Sequence, residues 1–370
     1  MSMKIVRWRP LRILASPQLT VLGLLLLALL VIAGTLLQAE KGLYAAQGEI
    51  FQSWVFWLSG VIPLPGMLLV GGLLFSNLLS AVLFRLAYKW SGMGLLLIHL
   101  GLLVLLGGGF ISYQYGREYF MTLREGESSG MADSAHEWEL AVWTEAEEKK
   151  AVLAVDIAEL RSGRPWLVPD LDLELTVSRF FPNCRPAGAV AREEMDLREA
   201  PPASDPTENI PGVILSVRDP QSGKQQISLY AGSGAPVVRR YSGRDCHFSL
   251  RLKRIILPLR LTLLDFEKTV HPGSEIPKSF ASRVEIESNG LRREARIAMN
   301  RPLRYRGYAF YQSAYADDGR HGASSTFAVV RNAGHWLPYV SSALVFLGLI
   351  MHFIVQLATA QKKIPPEVKS

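Results

Sequence analysis

The sequence predicts a membrane protein in which four transmembrane helices carry a large all-β, sandwich-like extracytoplasmic domain, inserted between the third helix and the fourth. Two observations lead to this fold class. Four uncharged windows are each long enough to cross a hydrocarbon core of about 30 Å, which takes about 20 residues of helix. The region between the third and the fourth window alternates apolar and polar residues with the period of a β-strand. With 370 residues, the chain also exceeds one ordinary domain of roughly 100 to 200 residues.

The four apolar windows are residues 13–38, 64–84, 93–113 and 336–359. The first window follows a basic segment, as the apolar part of a secretory signal would. Its apolar run is too long for a signal, however, and no small-x-small cleavage site follows it at residues 36–40. We therefore expect a retained anchor.

Charge in the short flanks predicts the orientation of the helices, because cytoplasmic segments carry an excess of Lys and Arg. Residues 1–12, 85–92 and 360–370 are basic, with Glu367 as their only acidic residue. We therefore expect a multi-pass protein of the cytoplasmic (inner) membrane with both termini in the cytoplasm. The loop of residues 39–63 and the domain of residues 114–335 then lie outside. The basic flanking residues are Lys4, Arg7, Arg9, Arg12, Arg85, Lys89, Lys362, Lys363 and Lys369.

The outer region reads as β-structure throughout its length. Asn289-Gly290 stands between two alternating segments and predicts a hairpin turn. A turn is also expected at residues 219–223, and the Pro-rich, acidic stretch from Pro186 to Pro211 is expected to form a long loop or flap. Clear strand patterns occupy residues 137–143, 173–179, 212–218, 249–254, 284–287 and 294–297.

Charge and cysteine content exclude several function classes. The formal net charge is +7, but the basic residues form no basic helix or aromatic platform, so we expect no nucleic-acid partner. Cys184 and Cys246 are the only cysteines. They could form one disulfide or remain two unrelated thiols. Since the chain contains neither CxxC nor CxxCH, it has no thioredoxin-like centre and attaches no haem covalently to itself.

Two histidines lie inside predicted spans, where an unpartnered ionisable side chain is costly and usually functional. His99 and His352 are both expected roughly 10 to 15 Å from the cytoplasmic side, at about 1.5 Å per helical residue. Two imidazoles at one depth could be the axial ligands of a haem. Alternatively, His99 bonds to a neighbouring helix, for example to Asn77 or Ser80. The other histidines are expected to be ordinary surface, strand or interfacial residues: His136, His247, His271, His321 and His335.

A long motif runs from Met299 to Tyr315 and reads Asn-x-Pro-Leu-x-Tyr-x-Gly-Tyr-x-Phe-Tyr-Gln-Ser-x-Tyr from its second residue. It is preceded by Leu-Leu-Asp-Phe-Glu at residues 263–267 and by Pro272-Gly273 and Ser282. With these motifs and the order of its predicted helices, the chain resembles the ResB/CcsB family of the system II apparatus for cytochrome c biogenesis. The resemblance extends over nearly the whole chain, including His99 and its neighbours in the third window.

The resemblance implies a non-catalytic subunit, not an enzyme on its own, of a holocytochrome c synthase. With a CcsA/ResC-type partner, it would export haem b and present it for thioether attachment to apocytochrome c. Thiol-reducing, thioredoxin-like proteins are a further partner class that it suggests. His99 matches a proposed axial ligand for haem in transit, whereas the opposite ligand belongs to the partner, which argues against His352. The absence of a tryptophan-rich WWD-type segment fits a separate subunit.

The resemblance also draws attention to the side chains of the long motif. Its arginines could attract haem propionates, and its tyrosines could pack on a partner or on apocytochrome c. Alternatively, the tyrosines alternate in and out of a strand and form its core and rim. The residues concerned are Arg301, Arg304, Tyr305, Tyr308 and Tyr311, followed by Arg306 and Tyr315.

Two other functions remain open on the sequence. A stand-alone b-type haem redox protein would use His99 and His352 as its own pair of ligands and would hold haem without a partner. A cofactor-free, membrane-anchored β-domain scaffold would need His99 only for contacts between helices. In the second case, replacing His99 by Asn would leave function intact.

Overall fold

The computed structural model describes residues 9–58, 60–86, 88–144, 152–160, 164–168, 173–187, 195–220, 223–274, 277–317 and 323–362. Some sequence predictions lie outside these ranges, namely those for His321, for the basic flanking residues Lys4, Arg7, Lys363 and Lys369, and for parts of the 186–211 loop and the 219–223 turn. The chain divides into two compact units, a helical unit formed by the two ends of the chain and a β unit of residues 117–331.

Four helices are long and apolar enough to cross a membrane, which confirms this part of the predicted fold class. Their ends follow local chemistry: the Ser16 hydroxyl accepts from the amide of Leu19 at the start of one long helix, and Pro17 occupies its first turn, where no backbone N–H is needed. The helices are α1 (Arg9–Leu14), α2 (Pro17–Lys41), α3 (Leu43–Ala46), α4 (Met67–Phe84), α5 (Met93–Tyr115), α6 (Ile157–Leu160) and α7 (Leu337–Lys362), and α2, α4, α5 and α7 are the long ones.

Glycines on α5 allow α7 to pack unusually close to it. Gly94, Gly101 and Gly108 recur at intervals of seven residues and form one edge of α5. A Cβ on Gly94 would lie 2.5 Å from the backbone nitrogen of His352 and 2.7 Å from the carbonyl oxygen of Gly348. The backbones are therefore in contact, as small residues permit between helices in lipid.

A polar cluster joins α2 to α4. The amide nitrogen of Asn77, a buried residue of α4, donates to the carbonyl oxygens of Leu14 at 2.5 Å and Ser16 at 3.0 Å. Its amide oxygen accepts from the hydroxyl of Thr20 at 2.6 Å. Asn77 thus satisfies three groups that would otherwise be costly to bury in an apolar environment.

Eighteen strands are described, and all their pairings are antiparallel. They are β1 (Val55–Leu58), β2 (Ile62–Pro65), β3 (Arg117–Arg124), β4 (Ser128–Thr144), β5 (Val152–Asp156), β6 (Trp166–Val168), β7 (Leu173–Phe181), β8 (Cys184–Ala187), β9 (Asp196–Glu199), β10 (Gly212–Asp219), β11 (Gly223–Tyr230), β12 (Val237–Tyr241), β13 (Arg244–Val270), β14 (Pro277–Ser288), β15 (Leu291–Ala298), β16 (Leu303–Tyr305), β17 (Tyr308–Asp317) and β18 (Ala323–Arg331).

The β unit contains a ten-stranded sheet in the order β15-β14-β13-β4-β3-β18-β17-β16, with β5 and β12 pairing with β4 and β13. A four-stranded sheet has the order β11-β10-β7-β6, and β8 pairs with β9. The β1–β2 hairpin belongs to the helical unit. A large antiparallel β-rich unit agrees with the predicted fold class.

Two apolar cores stabilise the β unit. In the first core, residues of the four-stranded sheet such as Leu215 and Ile227 pack with Leu140 and Phe248 of the large sheet, which is a sandwich arrangement. The second core lies within the large sheet and gathers residues of β3, β4, β13, β14, β15, β17 and β18. Strand β13 is 27 residues long and contributes residues to both cores.

Hairpin turns set the register of the strands in the second core. Asn289 and Gly290 have φ angles of 53° and 75°, and the flanking residues Ser288 and Leu291 pair directly. This arrangement confirms the predicted hairpin. Arg306 and Gly307, with φ angles of 46° and 83°, form a second two-residue turn of the same kind between β16 and β17.

Candidate functional site

His99 is held in place by its own helix. Its Nδ1 atom lies 2.8 Å from the carbonyl oxygen of Leu95, one turn earlier in α5. A carbonyl oxygen only accepts hydrogen bonds, so Nδ1 carries the proton and Nε2 keeps its lone pair. This is the tautomer that a metal-binding histidine needs, since such residues usually donate their other ring N–H to a backbone carbonyl or carboxylate. His99 is partly exposed.

The packing of α5 on α7 places His99 away from His352. The backbone of His352 lies against Gly94, and His99 follows Gly94 by five residues. At 3.6 residues per turn, His99 is about 140° around α5 from the glycine edge and about 7 Å further along its axis. The contact of Gly94 thus determines which residues of α7 lie opposite α5.

Asn77, one of the two polar residues suggested as helix partners for His99, is engaged elsewhere. The side-chain amide of Asn77 bonds to Leu14, Ser16 and Thr20, and Ser80 is buried in α4. The hydrogen bond described for the His99 ring is the one to Leu95. The structure thus gives His99 a partner in its own helix.

An apolar cleft of about 610 Å³ opens between α4 and α5 in the helical unit. Phe51, Trp54 and Phe75 contribute aromatic walls, and Gly72 and Gly107 widen it. His99 is not among the residues that line the cleft. The cleft and the histidine are therefore separate features of α5.

The long motif of the β unit forms the β16–β17 hairpin. Tyr305 and Tyr308 pair at its turn and pack against the second core. Their partial burial supports the core-and-rim alternative for these two residues. Tyr311, at 37% exposure, and the exposed Arg301 and Arg304 remain accessible.

Arginines surround the two tyrosines at this turn. The guanidinium carbons of Arg293 and Arg306 lie 5.3 Å and 5.6 Å from the ring centre of Tyr305. That of Arg331 lies 5.7 Å from the ring centre of Tyr308. These distances are within the range of cation–π attraction. The hairpin therefore carries a cluster of arginines and tyrosines.

Burial and neighbouring charges raise the pKa of a phenol near this surface. Burial raises the pKa of Tyr119, and the nearby Glu137 and Tyr308 raise it further. The positive charges of Arg117 and Lys253 act in the opposite direction. Tyr119 thus contributes a neutral hydroxyl to this part of the β unit.

Both cysteines are free and buried, so the alternative of two unrelated thiols is the observed one. Cys246 belongs to the first core, whereas Cys184 packs with Phe181 and Leu197 in a small satellite core. Burial raises the pKa of Cys184 to about 11 and also raises that of Cys246. Neither thiol has the exposed, low-pKa environment of a redox centre.

The described histidines outside the helices form no cluster with one another. His136, His271 and His335 are exposed, and His247 stacks on Trp143 with ring centres 5.2 Å apart. In the part of the chain that the structure describes, no group of three His, Cys, Asp or Glu residues could hold a metal ion.

Sequence reasoning missed two features that organise the units. The glycines at 94, 101 and 108 have a seven-residue period that was visible in the sequence and indicates a close helix contact. The polar cluster of Ser282, Gln312 and Ser325 could not be found in this way, because its members are far apart in the chain.

Comparison with known proteins finds similarity in the second half of the β unit. Residues 222–327, which begin just before β11 and end within β18, match the ResB-like family. Protein NrfI of Wolinella succinogenes is 33% identical to this chain over 104 residues. That match covers 28% of this chain and spans only 11% of the length of NrfI. The similarity to the ResB-like family is therefore observed for residues 222–327, which lie within the β unit.

Proposed function

We propose that this chain is a membrane-anchored subunit for cytochrome c biogenesis. The observation that carries the proposal is the ResB-like match of residues 222–327, which contains the whole Met299–Tyr315 motif. The four apolar helices supply the anchor that such a subunit needs. In this role the chain is not an enzyme by itself and acts together with a CcsA/ResC-type partner.

His99 is proposed as an axial ligand for haem b during its transfer. Its Nδ1–H bond to Leu95 leaves Nε2 able to bind iron, and His99 is partly exposed, about 140° around α5 from the glycine edge that contacts α7. Neutral imidazole is a regular haem ligand. This chain would therefore contribute one of the two axial ligands.

The opposite ligand is proposed to come from the partner. His352 has the right chemistry, but its backbone lies on the glycine edge of α5, about 140° around the helix from His99. This argument favours the shared haem over the stand-alone redox protein.

The basic surface of the β16–β17 hairpin is proposed to face haem propionates or apocytochrome c. Arg301 and Arg304 are exposed, and Tyr311 lies on the accessible part of β17. Guanidinium groups bind carboxylates through paired N–H donors, which suits a propionate. In the orientation given by the basic flanks, this surface lies outside the cytoplasm, where apocytochrome c and thiol-reducing, thioredoxin-like proteins would meet it.

The test is co-expression of the full chain with its CcsA/ResC-type partner and a reporter apocytochrome c that contains one CxxCH site. Covalent haem is measured by haem staining of the denatured reporter, and haem in the purified complex by its visible spectrum. We expect holocytochrome only when both membrane proteins are present. His99→Ala should abolish it, and added imidazole should restore part of it, because imidazole replaces the missing ligand.

His352→Ala is the matched control, since it removes the other intramembrane imidazole. We expect this variant to keep both the haem spectrum and the reporter signal. Equal holocytochrome without this chain would refute the proposed role. Loss of haem from both variants would instead assign the site to His99 and His352 within this chain.

A further inference from the structure

A polar cavity of about 460 Å³ lies at one end of the helical unit, where α1 meets α2 and where α4 ends. Arg12 and Arg85 line it, together with the polar side chains of Ser16 and Gln18. Phe84 forms part of its apolar wall. The cavity is distinct from the His99 side of α5 and from the apolar cleft between α4 and α5.

The walls of this cavity are fixed by hydrogen bonds. Arg85 donates from Nη1 to the carbonyl oxygen of Ala15 at 3.1 Å. Next to it, buried Asn77 bonds to the carbonyl oxygens of Leu14 and Ser16. These bonds attach the turn between α1 and α2 to α4 and therefore hold both sides of the cavity together. A guanidinium has five N–H donors, so Arg85 keeps donors for a second acceptor.

The positive charge in the cavity has no acidic counterpart nearby in the sequence. Residues 1–39 and 50–117 contain no Asp or Glu, and no acidic residue is among those that line the cavity. Pro17 has no N–H and the amide of Leu19 donates to the Ser16 hydroxyl, so the charged groups that can attract an anion to this cavity are the two arginines. Two guanidinium groups on one cavity match a phosphate, whose oxygens accept several N–H bonds.

The position of the cavity identifies the source of the phosphate. Pro17 begins one membrane-length helix and Phe84 ends another, so both arginines stand just beyond the apolar part of the helices. That is the depth of lipid headgroups, and basic cavities between helices at this level bind anionic headgroups. We propose that Arg12 and Arg85 form a binding site for the phosphate of an anionic phospholipid. The site is independent of haem handling.

The test uses the full chain purified in a non-ionic detergent. Phosphatidylglycerol or phosphatidylcholine is added at equal concentration, and the fraction of protein that carries one lipid is measured by native mass spectrometry. We expect the wild type to prefer phosphatidylglycerol, because only this lipid has a net negative headgroup. Arg12→Gln and Arg85→Gln should each weaken phosphatidylglycerol binding about fivefold and leave phosphatidylcholine binding unchanged.

Two further variants test whether the lost binding is specific to this cavity. They distinguish it from a general effect of positive charge and from misfolding of the variant. Lys89→Gln removes an exposed positive charge that does not line the cavity, and we expect it to bind phosphatidylglycerol as the wild type does. Arg85→Lys retains the charge and one donor to Ala15, and should recover part of what Arg85→Gln loses. An equal loss in Lys89→Gln, or no effect of Arg12→Gln, would overturn the proposal.

The cavity could also bind free phosphate from solution instead of the phosphate of a lipid. Inorganic phosphate is therefore added as a competitor at rising concentration and constant ionic strength. We expect it not to displace phosphatidylglycerol, since the acyl chains and the apolar wall add binding that free phosphate lacks. Displacement by phosphate that requires Arg12 would show a site for soluble anions and would refute the lipid assignment.

Discussion

Burial determines the chemistry of the two thiols. The pKa of Cys184 rises from its ordinary value of 9.0 to about 11, because the apolar environment disfavours the thiolate. At pH 8, about one Cys184 side chain in a thousand is then ionised, compared with about one in ten for an unperturbed thiol. We expect N-ethylmaleimide to leave both cysteines unlabelled in the native chain, as measured by intact mass. Both should react after addition of denaturant.

The same pKa shift predicts how stability depends on pH. The unfolded thiol ionises near pH 9.0 and the folded thiol of Cys184 near pH 11, so the folded state binds the proton more tightly. The stability due to this difference is complete below pH 9.0 and is lost as the pH rises towards 11. Cys184→Ala should flatten this decline in thermal unfolding curves. Rapid native labelling of Cys184 would contradict its burial.

Gln312 completes a polar cluster inside the second core. Its amide accepts from the hydroxyl of Ser282 at 2.8 Å and donates to that of Ser325 at 2.5 Å. Both serines are fully buried and lie 2.9 Å apart. Gln312→Leu would leave two buried hydroxyls with fewer partners, and we expect a loss of about 1 to 3 kcal/mol in the free energy of unfolding. Denaturant titration followed by tryptophan fluorescence measures it.

The neighbouring residue Ser313 supplies the control for this cluster. It is exposed on the same strand, β17, so Ser313→Ala should change stability by no more than a few tenths of a kcal/mol. If Gln312→Leu also left the free energy of unfolding unchanged, leucine would stabilise the β unit as well as the hydrogen-bonded glutamine does. The cluster would then have no role in joining β14, β17 and β18.

At the scale of whole elements, the contact between α5 and α7 depends on Gly94. A side chain at this position would meet backbone atoms of His352 and Gly348, which cannot rotate away. We expect Gly94→Ala to lower the free energy of unfolding of the helical unit by about 1 to 3 kcal/mol. Unfolding of the purified protein in detergent by a denaturing detergent, followed by circular dichroism at the helix band, measures it.

Gly109 on the same helix is the matched control. An added Cβ there would have no atom within 4 Å, and alanine favours helix more than glycine does. Gly109→Ala should therefore cause no loss of stability. Similar losses in both variants would mean that glycine acts through helix flexibility and not through the approach of α7.

The two hairpin turns show which elements local sequence could predict. Asn289-Gly290 was predictable, because asparagine and glycine both adopt positive φ angles at low cost. Arg306-Gly307 forms the same kind of turn, but arginine is not a typical residue for it. The guanidinium of Arg306 lies over Tyr305, the residue that closes the hairpin, and this contact offsets part of the backbone cost. The contact between Arg306 and Tyr305 exists only in the folded hairpin, so this turn was not predictable from local sequence.

For the whole molecule, the features that could be predicted were those with a short-range sequence pattern. Apolar windows gave the four long helices, and alternation gave the β unit. The extent of β13 was not predictable, because its bulges near Arg254 and Leu261 interrupt the alternation. The direction of His99 was also not predictable, since it follows from the contact of Gly94 with a helix more than 200 residues away in the chain.

Strand pairing makes a further prediction for the whole β unit. Its first residue, Arg117, pairs with its last residue, Arg331, on the neighbouring strands β3 and β18. Both cores are composed of residues within 117–331, so cutting the chain at these points removes no core residue. We expect the fragment 117–331 to be soluble, to show a β-type circular dichroism spectrum and to unfold cooperatively on heating. It should bind no haem, because His99 is absent.

A shorter fragment, 128–331, provides the contrast. It lacks β3, which lies between β4 and β18 in the large sheet and contributes Met121 and Leu123 to the second core. Removing a central strand exposes two unpaired edges and opens this core. We expect this fragment to aggregate or to lose cooperative unfolding. If the longer fragment behaved in the same way, the β unit would depend on the helices for its fold, although each unit has its own core.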